Sequence, residues 1–143
     1  ELSMSLDSIS IETEYPEVLR VLDVVILQKA HLQLNLKKGV IYYIISDEEL
    51  LAVNKSSLDH DYYTDIITFD YEDDEDIEDN EILISWDRVN ENAITEGKTS
   101  VNELYRVCFH GMLHLAGFDD QTPQQKTRMR EQENLLLDKY CST

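Results

Sequence analysis

The chain has few basic residues, few cysteines and no long apolar run, and each shortage excludes a class of protein. Lysine and arginine number 12 against 30 aspartate and glutamate residues, which gives a formal net charge of −18. This charge excludes a domain that holds nucleic acid by bulk positive charge, because such domains typically have a pI above about 9. Cys108 and Cys141 are too few for a disulfide framework and are typical of the reducing cytoplasm.

Apolar segments in the sequence are too short to cross a bilayer. The longest, Val24–Leu27 and Val40–Ile45, fall far below the ~18–20 residues that a membrane span needs. No basic stretch followed by an apolar segment begins the sequence, so nothing in it predicts secretion. We therefore expect a cytoplasmic protein without a membrane partner.

The size and the residue pattern predict one ordinary globular domain. With 143 residues, the chain is long enough to bury roughly 68–70% of its unfolded surface. The spacing of apolar residues along the chain indicates strands and helices in the order β, α, β, α, β, β, α, α, α. We predict one α/β (α+β) domain over residues 1–143, with a single small mixed sheet of about four strands packed by about five helices. The strands are Ile9–Ile11, Val40–Ser46, Ile66–Tyr71 and Glu81–Trp86, and the helices are Pro16–Ile26, one after Ser46 through Val53, Asp87–Glu96, Val101–Ala116 and Pro123–Tyr140.

Three helix starts carry the capping-box pattern. In this pattern a serine or threonine precedes a glutamate or glutamine by three residues, and each side chain bonds the backbone of the other. The pairs are Ser46 with Glu49, Ser100 with Glu103, and Thr122 with Gln125.

An acidic run lies between the third and fourth predicted strands. Residues 70–81 contain nine carboxylates in twelve positions, which is half of the net charge. Like charges packed this densely repel one another and stay solvated, a pattern typical of a mobile loop. A cation-binding loop is the alternative, but the run has no glycine and lacks the D-x-D-x-D-G spacing of a calcium site.

Two histidines four residues apart distinguish the helix predicted at 101–116. Because a helix turn has 3.6 residues, His110 and His114 share one face about 5–6 Å apart and can reach one ion. Gly117 then ends the helix and turns the chain, so that Asp119 or Asp120 offers a third ligand. Two histidines and a carboxylate leave an open position on a tetrahedral Zn²⁺ ion, as in catalytic sites. Alternatively, both imidazoles only line a solvent-exposed helix surface.

Gly111 and two isolated histidines are interpreted from their surroundings. Gly111 costs its helix about 1 kcal/mol relative to alanine, which indicates a close approach of a metal or of backbone. His31 follows an amphipathic helix and His60 lies in a polar turn. A lone histidine of this kind is more often a surface or satisfied residue than a ligand.

The segment His110–Asp120, HGMLHLAGFDD, resembles the H-G-x-L-H-L-x-G-Y-D-H signature of the YbeY family of bacterial metal-dependent endoribonucleases. Other segments are similar to further blocks of this family, and together they cover roughly residues 45–135. Asn54, Asp61 and Thr64–Phe69 resemble a block that ends in T-[DN]-V-L-S-F. Ile82–Ser85 resembles a strand with the pattern G-D-I-x-I-S. Glu103–Val107 resembles the family's segment that leads into the metal-binding helix.

The resemblance implies a small mixed sheet packed by helices, with a metal ion, usually zinc, in a cleft. It implies His110, His114 and Asp120 as metal ligands and catalytic residues, with Asp120 in the position of the family's third histidine. It further implies cleavage of single-stranded ribosomal RNA, notably maturation of the 3′ end of the small-subunit species, and ribosome quality control. RNA and the ribosome or its proteins are then the partners.

Two positions depart from the family pattern. Asp120 binds Zn²⁺ at about the distance of a histidine, but it leaves the ion less electropositive, so that another divalent metal becomes an alternative. Leu58 stands where the family carries an arginine. Lys55, His60 or Arg106 would have to replace that arginine if it steadies the phosphate.

The expected mechanism is metal-assisted hydrolysis of a phosphodiester. Asp65 and Asp119 are candidate general bases, but Asp119 could equally orient a histidine and Asp65 could equally form a turn or a helix cap. The net charge repels RNA, so that a local cluster of Lys126, Arg128 and Arg130, or recruitment by basic partners, would have to offset it. The ordinary alternative for these three cations is a solvated helix face.

Three other functions compete with the nuclease. A metallopeptidase needs a glutamate after the first histidine, and Gly111 stands there. A Cys–His hydrolase is disfavoured because Cys108 lies two residues from His110 on the apolar side of the helix. A non-catalytic ribosome-assembly factor remains open, in which the metal braces the fold and the acidic surface docks on basic partners. Leu58 and Asp120 both favour it.

Overall fold

The computed structural model describes residues 1–141, which form five strands and six helices. The elements are β1 (Leu2–Leu6), β2 (Ile9–Thr13), α1 (Pro16–Val21), α2 (Val24–Gln33), β3 (Gly39–Ile45), α3 (Asp47–Leu58), β4 (Ile66–Phe69), β5 (Asp79–Ser85), α4 (Trp86–Glu96), α5 (Ser100–Leu115) and α6 (Pro123–Tyr140). The predicted mixed sheet packed by helices is confirmed, with one more strand and one more helix than expected. The last two residues of the domain predicted over 1–143 lie outside the described range. Among residues 1–141, no helix is both long and apolar enough to span a membrane.

The strands form one sheet in the order β1-β2-β3-β5-β4. β2, β3 and β5 run parallel, and β1 and β4 pair antiparallel at the two edges. Side chains of β5 alternate between the faces, because Ile82 and Ile84 lie in the main core while Leu83 joins a smaller cluster with Leu50 and Ile67. The main core contains residues of α1, α2, α4, α5 and α6, and α3 packs on the opposite face.

The two additional elements have local causes. β1 pairs with β2 through a tight turn in which Asp7 has a φ of 49°, and its side chains are mostly exposed, as on an edge strand. The single helix predicted over Pro16–Ile26 is wrong. Leu22 is extended, and the Asp23 carboxylate accepts a 2.9 Å hydrogen bond from the Val25 amide, which starts a second helix.

Two of the three predicted capping boxes are present, at Ser46 and Thr122. The third is wrong, since Thr99 caps α5 and its hydroxyl accepts a 3.0 Å hydrogen bond from the amide three residues later. The helix therefore begins at Ser100, and Glu103 is buried instead of bonding the N-cap.

The acidic segment is a loop, as predicted, but it is shorter because β5 begins at Asp79. The ammonium group of Lys38 donates hydrogen bonds to the carbonyl oxygens of Tyr71, Asp74 and Ile77, the last two at 2.7 Å. Most carboxylates of residues 70–78 remain exposed. One cation thus binds the backbone of the loop and leaves its acidic side chains to solvent.

Helix α5 positions the histidine pair through its contact with the sheet. The Tyr42 hydroxyl donates a buried 2.9 Å hydrogen bond to the Cys108 carbonyl oxygen. A Cβ atom placed on Gly111 would lie 2.7 Å from Cδ1 of Ile82. Gly111 therefore permits a close approach of the helix to isoleucine side chains of the sheet, and not the approach of a metal or of backbone that the sequence predicted.

Candidate metal centre

His110, His114 and Asp120 meet at the end of α5. The Nε2 atoms of the two histidines are 3.1 Å apart, and Asp120 Oδ2 lies 3.3 Å from each of them. The histidines project from successive turns of the helix, and the chain then reverses at Gly117, which has a φ of 103°. A 2.9 Å hydrogen bond from the Phe118 amide to the last turn of α5 fixes this reversal. The three side chains predicted as ligands are therefore brought together.

The donor atoms of this cluster fit a divalent metal ion. All three lie within 4.8 Å of one another. A tetrahedral ion with bonds of about 2.0–2.1 Å keeps its ligand atoms about 3.3–3.4 Å apart, close to the distances observed. Two imidazole nitrogens and a carboxylate oxygen suit Zn²⁺ and neighbouring transition metals. Each side chain also keeps 22 to 33% of its surface exposed, which leaves room for a further ligand.

The cluster lies in a cleft of ≈ 820 Å³ formed by α5, α6 and β4. The charged groups that line the cleft are the carboxylates of Asp65, Asp70, Glu103, Asp120 and Glu133 and the cations of Arg106, Lys126 and Arg130. Five carboxylates against three cations leave a formal charge of −2. One divalent ion would cancel this charge.

Glu133 of α6 holds His110 in place. Its Oε2 atom lies 2.7 Å from Nδ1 of His110, and its Oε1 atom accepts a 3.0 Å hydrogen bond from Arg106. Because Nδ1 donates to the carboxylate, the free lone pair of His110 is on Nε2, the atom that faces His114 and Asp120. Burial lowers the pKa of His110, but the hydrogen bond and the charge of Glu133 outweigh burial and leave this pKa raised.

Sequence reasoning missed Glu133, although a signal was available. Glu133 is 4% exposed and lies between Met129 and Leu136 on the buried side of α6. A carboxylate at a core position indicates a bound partner, because unpaired charges are almost never fully buried. The identity of that partner, His110, could not be read from the sequence.

The sequence matches the family model described as Endoribonuclease YbeY over residues 4–141. The chain belongs to the YbeY family. It is 48% identical over 96 residues to Endoribonuclease YbeY of Cytophaga hutchinsonii, a match that covers 67% of each chain. The protein of the same name from Azobacteroides pseudotrichonymphae is 36% identical over 134 residues, which cover 93% of this chain and 96% of that one. A solution structure of a Thermotoga maritima protein shares the fold, with a TM-score of 0.66 and 24% identity over 92% of this chain and 88% of that one.

Leu58, which the resemblance predicts to stand in place of a family arginine, is an exposed residue at the end of α3. Of the three predicted replacements, Lys55 forms a 3.2 Å surface ion pair and His60 stacks on an exposed tyrosine, and neither lines the cleft. Arg106 lines the cleft, but its side chain is only 11% exposed and is bound to Glu133. Arg106 therefore positions a carboxylate instead of offering a free charge to substrate.

Of the two candidate bases, the structure favours Asp65. Asp119 is exposed and does not line the cleft, whereas Asp65 does. The Asp65 carbonyl oxygen accepts a 2.9 Å hydrogen bond from the Ser85 amide, and its carboxylate accepts a 3.4 Å hydrogen bond from Asn92. Burial raises the pKa of Asp65, and the charge of nearby His110 partly offsets this rise.

Glu103 is a further buried carboxylate in the cleft wall. It is 6% exposed, and among residues 1–141 its Oε1 atom has no hydrogen-bond partner. Burial raises the pKa of Glu103, and the guanidinium of Arg106, 3.8 Å away, opposes this effect. Glu103 is thus a carboxylate whose ionised form is poorly compensated.

Cys108 and His31 are both buried, and neither lines the cleft. Cys108 has no exposed surface and lies in the main core, and burial raises the pKa of its thiol far above the ordinary range. A Cys–His hydrolase is therefore excluded, because the nucleophile of such an enzyme must reach its substrate as a thiolate. His31 is buried, and its Nε2 atom forms a 2.8 Å hydrogen bond with the Lys38 carbonyl oxygen, but its Nδ1 atom has no hydrogen-bond partner among residues 1–141, so the predicted satisfied histidine is only half satisfied.

The three cations predicted on the last helix are divided between two sides of α6. Lys126 and Arg130 line the cleft. Arg128 does not, since its guanidinium lies 5.6 Å from the centre of the Phe118 ring and borders a separate groove. The predicted cluster of three is therefore a pair in the cleft and one residue outside it.

Proposed function

We propose that this YbeY-family chain is a single-strand-specific metallo-endoribonuclease that acts in the cytoplasm. Its proposed role is maturation of ribosomal RNA at the 3′ end of the small-subunit species, with ribosome quality control. The observation that carries the proposal is the convergence of His110, His114 and Asp120 in an open cleft. The family model and the names of the relatives support endoribonuclease activity. One Zn²⁺ ion is the proposed cofactor, and RNA and the ribosome or its proteins are the proposed partners.

In this mechanism the three ligands would hold an ion that, when bound, polarises a phosphoryl oxygen and lowers the pKa of its water toward neutrality. Glu133 keeps His110 in the required tautomer, and Arg106 fixes Glu133. Asp65 faces the same cleft and accepts the proton of the attacking water, a task that its raised pKa favours. Because Asp120 replaces a histidine, we expect the site to accept other divalent metals as well.

The charge balance of the cleft makes RNA binding compatible with an acidic protein. The formal charge of −2 in the cleft is small beside the total of −18. Exposed charges more than about 8 Å away are largely screened at physiological salt. The groups that decide binding are therefore those in the cleft, where one divalent ion neutralises the excess.

Cleavage of a single-stranded ribosomal RNA fragment tests the proposal. We expect the wild type to cleave it and His114→Ala to be inactive. His60→Ala is the matched control, since His60 lies outside the cleft, and it should retain activity. Equal, background-level products from the wild type and His114→Ala would refute the nuclease.

Metal analysis tests the ligand set independently of activity. We expect one equivalent of zinc per chain in the purified wild type and its loss in Asp120→Ala. Asp119→Ala changes the exposed neighbouring carboxylate and should keep the metal. Equal metal content in Asp120→Ala and the wild type would remove Asp120 from the site.

A non-catalytic assembly factor is the second candidate, and the acidic loop favours it. Lys38 binds the backbone of residues 70–78, so that most of the carboxylates face solvent and can meet a basic ribosomal protein. This function predicts that binding to basic ribosomal proteins survives in His114→Ala. The nuclease predicts that this variant loses RNA cleavage.

A further inference from the structure

We propose that Lys126 and Arg130 form the site that binds the RNA backbone phosphates, in place of the arginine that is absent at Leu58. This inference rests on the proposed function. It adds an anion-binding element on α6, a helix other than the one that carries the two histidines. The ligand is a phosphodiester backbone of single-stranded RNA.

The position of Lys126 and Arg130 favours a shared phosphate ligand. Lys126 and Arg130 are four residues apart on α6, so that they share one face with about 5–6 Å between their Cβ atoms. Both line the cleft that also contains His114 and Asp120. A phosphate held by this pair therefore lies in the same cleft as the proposed metal ligands.

The charges of Lys126 and Arg130 are available to a ligand. Lys126 is exposed, and among residues 1–141 none of the ion pairs involves its ammonium group. Arg130 Nε is 3.9 Å from Glu133 Oε1, whereas Arg106 binds the same oxygen at 3.0 Å. Arg106 thus satisfies Glu133, and Arg130, with 52% of its side chain exposed, keeps its guanidinium for another anion.

Acidic and basic residues lie on different elements of the cleft wall. Asp65 and Asp70 lie before and after β4, whereas Lys126 and Arg130 lie on α6. A polyanion is repelled by the carboxylates and attracted by the cations. The RNA backbone is therefore expected along α6, with a phosphate next to the cluster that contains Asp120.

Arg128 supplies a matched control on the same helix. It carries the same charge as Lys126 and Arg130 but borders another groove and stacks on Phe118. Loss of Arg128 changes the net charge of the protein by the same amount as loss of either cleft cation. A comparison of the three variants therefore separates a local contact from the long-range field.

The test measures binding of a short phosphorothioate single-stranded RNA, which resists cleavage, to the metal-loaded protein. We expect Lys126→Gln and Arg130→Gln each to raise the Kd roughly 3–10-fold, and Arg128→Gln to change it less than about 2-fold. The slope of log Kd against log salt concentration should fall by about 0.7 for each phosphate that the variant no longer binds. In cleavage assays KM should rise while kcat stays near the wild-type value, and the metal content should not change.

Three results would overturn the inference. The first is an equal increase of the Kd in all three variants. The second is an unchanged Kd in Lys126→Gln and Arg130→Gln. The third is a slope of log Kd against log salt concentration that in these two variants equals the wild-type slope. These results are distinct from failure of the proposed function. A wild type that binds RNA with the expected variant pattern but does not cleave it would support the phosphate site and refute the nuclease.

Discussion

Substitution of Gly111 by alanine should destabilise the fold and disturb the metal site together. The added Cβ would lie 2.7 Å from Ile82 Cδ1, 3.1 Å from Ile82 Cγ2 and 3.2 Å from Ile66 Cδ1. Ile82 has no exposed surface, so its side chain has little space into which it can move. Helix α5 must then shift away from the sheet, and His110, the preceding residue, shifts with it.

Two opposing effects set the size of the change. Overpacking of a buried site costs about 1–3 kcal/mol. Alanine in place of glycine within a helix recovers about 1 kcal/mol. We therefore expect the free energy of unfolding to fall by about 1 kcal/mol, within a range of about 0–2 kcal/mol. A fall of about 1 kcal/mol lowers the Tm by about 3–5 °C for a chain of this length.

A double-mutant cycle with Ile82→Val measures the effect, because valine lacks the Cδ1 atom nearest to the added methyl group. Alone, Ile82→Val should cost about 0.5–1.5 kcal/mol. In urea denaturation, the free energy of unfolding of the double variant should exceed the value expected from adding the two single effects by about 1 kcal/mol. The double variant should also recover the zinc affinity that Gly111→Ala loses. Additive losses, or a higher Tm in Gly111→Ala, would refute the close packing of α5 on β5.

Further predictions concern the charged groups around the cleft and the acidic loop. Glu133→Gln should weaken zinc binding about 10-fold or more in competition with a chelator, because it removes the charge that orients His110; unchanged affinity would contradict that role. Burial raises the pKa of Glu103, so its contribution to stability is present below its unfolded pKa and is lost as pH rises through its folded pKa. Glu103→Gln should therefore gain stability over the wild type as pH increases, and a pH-independent difference in urea denaturation would contradict this. Lys38→Met should speed amide hydrogen exchange in residues 70–78, whereas Lys37→Met should not, and equal exchange in both would argue against the Lys38 contacts.

The parts of the site that follow from local sequence were predictable. The four-residue spacing places His110 and His114 on one helix face, and Gly117 reverses the chain because glycine adopts a positive φ at little cost. These local rules account for the two histidines and for a carboxylate after the turn, but they leave Asp119 and Asp120 as alternatives. The family pattern selected Asp120 over Asp119, and the structure places Asp120 at 3.3 Å from both histidines.

Contacts between distant segments were not predictable in this way. Glu133 meets His110 only after α6 packs on α5, so that its role depends on the tertiary structure. The N-cap of α5 was mispredicted for another reason. Thr99 and Ser100 are adjacent, and either hydroxyl group is a suitable N-cap by its residue type. At Asp23 the carboxylate capped a new helix where the apolar period alone predicted continuation.

The distribution of charge accounts for how so acidic a chain can act on a polyanion. The carboxylates of residues 70–78 are mostly exposed, and of this segment only Asp70 lines the cleft. Within the cleft, Glu103 and Glu133 are almost fully buried, Arg106 pairs with Glu133, and Asp120 belongs to the donor set. Charges that are paired or bound to metal contribute little to the field met by an incoming phosphate, and burial raises the pKa of Glu103 and so favours its uncharged form. The net charge of the chain is therefore a poor guide to its substrate, and the local balance in the cleft decides what binds.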